Sequence, residues 1–147
     1  MRNEKIITID DRGKSLTFKV KEMAATQLES WAMRCVLVLA AAGSDVPATG
    51  GVEGMAKFLS EHGLAALGNV NFEKAKPLLD EMLGCCYRVI DAMEEKVTPQ
   101  AADAYIEDIR TLLKLRMEAL KLNFGFFGTG GQSATPENQS NIKLNAR

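Results

Sequence analysis

The segment KIITIDDRGKSLTFKV, residues 5–20, constrains the fold most. Ile7 and Ile9 alternate with Ile6 and Thr8, and after the turn Leu16, Phe18 and Val20 alternate with Ser15, Thr17 and Lys19. A period of two in β-branched and aromatic residues is the signature of a half-buried strand. DDRGK between the two runs has turn chemistry, and Gly13 can adopt a positive φ. Residues 5–20 are therefore expected to form a β-hairpin with one apolar face. Two strands alone are at best marginally stable in water, so the rest of the chain must supply a cover.

The expected cover is helical. In AATQLESWAMRCVLVLAAAG (24–43), Leu28, Trp31, Cys35, Val38 and Ala42 recur at helical spacing. Val36, Leu37 and Leu39 widen that stripe, so the helix starts amphipathic and ends buried, with Gly43 as its stop. Trp31 on this stripe is most simply a core residue. SDVPATGG (44–51) has loop composition, and a shorter helix over 52–62 would turn Met55, Phe58 and Leu59 inward. Asn71 is a plausible N-cap with Glu73 in the first turn. Pro77 fits poorly in a helix interior, so the main helix carrying Leu78, Leu79, Met82 and Leu83 is expected to begin just before it. A break is expected at Gly84, after which CYRVI (86–90) reads either as more helix or as a short strand.

VTPQAADAYIEDIRTLLKLRMEALKLNFGFF (97–127) is the strongest helical pattern, with Thr98 as N-cap and Pro99 at the first helical position. At about 100° per residue, Ile106, Ile109, Leu113, Met117, Leu120, Phe124 and Phe127 share one face. Tyr105, Leu112, Leu115, Ala119, Leu122 and Phe126 share another, with Arg116 and Asn123 between. Two apolar faces are more than one small core usually covers. The second face and the Phe-rich end are divided between core and a surface for self-association or a partner. The candidate partner-binding residues are Leu112, Leu115, Leu122, Phe124, Phe126 and Phe127. The tail from 128 to 147 has no periodicity, and its Gly, Ser, Asn and Gln content predicts disorder or weak order. The expected fold class is α+β, mostly α. A single globular domain over 1–127 packs the hairpin on a small bundle of about four helices, followed by the flexible tail.

The chemistry-bearing residues argue against catalysis. His62 is the only histidine, with no second ligand at metal-binding spacing, so no metal site is expected. Cys35, Cys85 and Cys86 are an odd set with two adjacent, which suits small reduced hydrophobes in a cytosolic setting more than disulfides or redox chemistry. Asp80–Glu81 and Glu94–Glu95 are adjacent carboxylates that point apart on a helix and do not form an acid/base couple. GTGG (128–131) follows a helix instead of opening one, unlike a phosphate-binding loop. No cofactor is expected. A net charge of −1 offers no basic excess for a phosphate backbone, so nucleic acid is a poor partner. The longest apolar run, CVLVLAAA (35–42), is too short to span a bilayer, and the first twenty residues lack the apolar stretch of a signal peptide. A soluble cytoplasmic protein is expected.

The order of features resembles a known family. ITIDDRGKSLTFKV leading into KEMAATQLESWAMRC, then PLLDEML (77–83), then YIEDIRTLLKLRMEALKLNFGFF (105–127) is similar to the small tail assembly chaperones of long-tailed bacteriophages. The resemblance is one of overall pattern and spans roughly residues 5–127. It implies a small, mostly helical, non-enzymatic protein of the host cytoplasm, absent from the mature virion. Such a protein coats the tape measure protein, recruits tail tube subunits and self-associates. It implies no catalytic residue. Seven methionines suit an adaptable apolar surface. The alternative is a structural phage tail or head–tail connector protein retained in the virion.

Overall fold

The computed structural model describes residues 1–43, 57, 61–62 and 68–125. The hairpin forms where it was expected, as β1 (Glu4–Asp11) and β2 (Lys14–Lys21). Asp11 pairs with Lys14, so Arg12 and Gly13 alone make the turn, with φ of 51° and 87°. Two consecutive positive φ values are what a tight turn needs to match the twist of the strands it joins. Next come α1 (Ala25–Ala41), α2 (Phe72–Leu83), β3 (Cys86–Ile90), β4 (Met93–Lys96), α3 (Pro99–Ala102) and α4 (Ile109–Gly125).

The sheet is larger than the hairpin. Four antiparallel strands lie in the order β1-β2-β3-β4. The chain does break at Gly84, and CYRVI is a strand: Phe18 lies opposite Arg88 and Val20 opposite Cys86. The cause lies in β2, whose far edge carries backbone groups that must be paired. Lys21 N donates to Cys85 O at 2.8 Å at the start of that pairing. β4, with the sequence MEEK, is exposed at every residue, so it carries no alternation for sequence reading to detect.

One face of the sheet is covered. Leu16, Phe18 and Val20 meet Trp31, Cys35 and Leu39 of α1, Leu78 and Met82 of α2, and Leu115 and Phe124 of α4 in one buried cluster. Trp31 fills the centre, its Nε1 donating to Leu78 O at 3.0 Å and its ring 5.4 Å from that of Phe124. Leu37, expected to widen the buried stripe of α1, is instead 66 % exposed. Gly43 ends this segment at φ 75°, the left-handed conformation that favours glycine as a helix stop.

Two helix boundaries differ from expectation. α2 starts at Phe72, not beside Pro77, because the Asn71 side chain accepts from Glu73 N at 2.8 Å. Pro77 stands inside the helix on its exposed side, and burial of Ala75, Leu78 and Met82 offsets the lost backbone hydrogen bond. The expected helix over 97–127 is divided at 103–108 into α3 and α4. Thr98 caps α3 as expected, accepting from Ala101 N at 3.1 Å. The helix then stops because Asp11, wholly buried at the hairpin tip, accepts from Glu107 N at 2.8 Å and Asp108 N at 3.0 Å. The loop at 44–51, most of the helix expected at 52–62, Phe126, Phe127 and the tail 128–147 lie outside the described residues.

Candidate partner-binding surface

The orientation of α4 decides what the protein can offer a partner. Its inner side is marked by two polar residues. Thr111 Oγ1 donates to Asp11 Oδ1 at 2.7 Å. Asn123 Oδ1 accepts from Met23 N at 2.9 Å, and its Nδ2 donates to Ala119 O at 2.8 Å. Both residues are buried, and Leu115, Ala119, Leu120 and Phe124 are buried with them.

Asp108 holds the other end of the helix in place. Its carboxylate accepts from Arg110 N at 2.9 Å and lies 2.7 Å from the Arg110 guanidinium. That guanidinium first, and the backbone donor second, hold the Asp108 carboxyl down at about 2. Burial pushes the Asp11 carboxyl up, yet hydrogen bonds from Glu107, Thr111 and Asp108 outweigh it and hold Asp11 below its ordinary value. A charged carboxylate therefore joins the hairpin tip to the first turn of α4, where the helix dipole also favours it.

This placement redistributes the six expected partner-binding residues. Leu115 and Phe124 are 0 % and 1 % exposed and are core side chains with nothing to present. Leu112 and Leu122 are half-buried and pack against the core. Phe126 and Phe127 lie outside the described residues. The face that carries Ile109, Leu113, Leu120 and Phe124 is split along the helix: Leu120 and Phe124 are buried, while Ile109 is 70 % and Leu113 47 % exposed.

Leu113 opens onto a groove of about 270 Å³ between α2 and α4, lined also by Val70, Phe72, Ala75, Leu79 and Arg116. Phe72, the first residue of α2, is 63 % exposed. Arg116 sets the spacing of the two helices, donating through Nε to Leu79 O at 3.2 Å and reaching Asp80 at 3.5 Å. The surface is thus an apolar strip of Ile109, Leu113 and Phe72 flanked by one fixed arginine. No local sequence signal separates this strip from the core side of the helix, since both carry large apolar residues at helical spacing.

The remaining reactive groups sit elsewhere. Cys35, Cys85 and Cys86 are free and buried, and burial pushes their thiols up to about 12, 11 and 12. Among the described residues no group of three His, Cys, Asp or Glu side chains could hold a metal ion. Among them, no helix is long and apolar enough to cross a membrane.

No protein-family model, curated protein or solved structure matches this chain.

Proposed function

We propose that this protein is a non-enzymatic tail assembly chaperone of a long-tailed bacteriophage, acting in the host cytoplasm and left out of the mature virion. It binds the tape measure protein and recruits tail tube subunits. The observation that carries this is the solvent-facing apolar strip of Phe72, Ile109 and Leu113 beside the α2–α4 groove. An amphipathic helix lays its apolar face in such a groove. Covering the exposed stripes of a long helical client keeps that client from aggregating, by mass action. Each contact is small, so one subunit binds weakly and can be displaced by tube protein. Many subunits along one chain supply the avidity.

The test is co-expression with the tape measure protein from the same genome. Soluble tape measure carrying many copies of this chain supports the proposal. Loss of that capture in Phe72→Ser with Leu113→Ser, at unchanged thermal stability, assigns it to the strip. Recovery of the chain in finished particles, with no tape measure capture, overturns the proposal in favour of a structural tail component.

A further inference from the structure

The two edges of the sheet are unequal. β4 is four residues of MEEK, short and charged, as protected edges usually are. β1 is eight residues in continuous register with β2, without proline or bulge. In an antiparallel pair, hydrogen-bonded and non-hydrogen-bonded residue pairs alternate. Glu22 N donates to Asn3 O at 2.9 Å, so the odd-numbered residues of β1 bond to β2. The N–H and C=O groups of Glu4, Ile6, Thr8 and Asp10 therefore point away from the sheet. Lys21 N turning to Cys85 O on the other side of β2 fits this alternation. No backbone partner meets those four residues on that side among the described residues. Their side chains lie on the uncovered face, where Ile6 is 66 % exposed. Among the described residues, a groove of about 360 Å³ runs beside Thr8 and Asp10 towards Arg110 and Lys114.

We infer that β1 is a self-pairing edge, and that two copies of this chain join antiparallel through it into one eight-stranded sheet. Parity and charge select the register. Even residues must oppose even residues for the free backbone groups to bond. Centring the twofold axis on Ile7 sets Glu4 against Asp10 of the second copy, and directly opposed like charges destabilise. Centring it on Thr8 sets Ile6 against Asp10. Centring it on Ile6 sets Ile6 against Ile6, Glu4 against Thr8 and Arg2 against Asp10, covering the exposed isoleucine and opposing unlike charges. The two remaining charges of β1 that face the covered side do not obstruct this. Lys5 is paired with Glu118 at 2.8 Å, and Asp11 is consumed by its three donors. The inference rests on backbone groups of the sheet edge and not on the α2–α4 groove, so it stands or falls separately from tape measure capture.

Sedimentation velocity of the full chain between about 1 and 200 μM, with site-specific cross-linking, tests it. A concentration-dependent dimer is expected. Ile6→Lys should weaken it at least tenfold and leave the melting temperature unchanged at concentrations where the wild type is monomeric, since Ile6 is 66 % exposed and lies outside the core cluster. Ile6→Cys should cross-link on mild oxidation, because opposed hydrogen-bonded residues sit about 5.5 Å apart between Cα atoms, within disulfide reach. Thr8→Cys, off the axis, should not. A chain that stays monomeric throughout, a dimer indifferent to Ile6→Lys, or equal cross-linking at positions 6 and 8 would each overturn the inference.

Discussion

Asp11 and Thr111, a hundred residues apart, share a hydrogen bond of 2.7 Å inside the protein. The same carboxylate takes the backbone N–H groups of Glu107 and Asp108. Removing it strands buried donors, each of which carries a desolvation penalty. Asp11→Ala should destabilise the fold by about 2–4 kcal/mol in urea denaturation. Thr111→Val, which deletes one donor and keeps the shape, should cost less than half of that. Equal losses would show that the carboxylate is not the hub of this joint.

Acid stability should follow the depressed carboxyls. Lys19 and then Lys21 hold Glu94 down at about 2, from an ordinary 4.5. A carboxyl whose folded value is lowered stabilises fully above its unfolded value and loses that contribution as pH falls through the folded one. The Glu94 contribution should therefore fade between about pH 4.5 and 2, and that of Asp108 between about pH 3.8 and 2. The Glu94 side chain is partly exposed, so its share of the effect should shrink in high salt. Melting temperature against pH for Glu94→Gln should run flatter than wild type in this window, and the two curves should converge at its acid end.

Two leucines two positions apart on α4 should respond oppositely. Leu115 is wholly buried and Leu113 is 47 % exposed. Leu115→Ala should cost about 2–5 kcal/mol through lost burial and a residual cavity. Leu113→Ala should stay within about 0.5 kcal/mol. Chemical denaturation of the pair directly checks the rotation of the helix.

The thiols should be silent in the folded protein. Burial keeps all three protonated well above neutral pH, and the thiolate is the reactive form. Titration with a thiol-reactive disulfide at pH 8 should be slow in buffer and should reach three equivalents in denaturant. Rapid native labelling at Cys85 or Cys86 would mean that the 84–86 junction opens.

Local pattern was enough for much of the architecture. Period-two alternation and a glycine turn placed the hairpin, the 3–4 spacing placed α1, and Asn71 and Thr98 act as the caps their side chains suggest. These features depend on neighbours a few residues away, so they are written in the sequence itself. What the tertiary structure decided depends on partners far along the chain. β4 exists because β3 pairs with a strand of polar residues that has no alternation to betray it. The long helix breaks at 103–108 because Asp11, on the first strand, claims the backbone there. The inner side of α4 is chosen by Thr111 and Asn123, whose polarity gave them no place in an apolar stripe. Leu115 therefore went to the core and Leu113 to the surface. Periodicity reveals that a helix has apolar sides; only the groups that bond across the core decide which side is turned in.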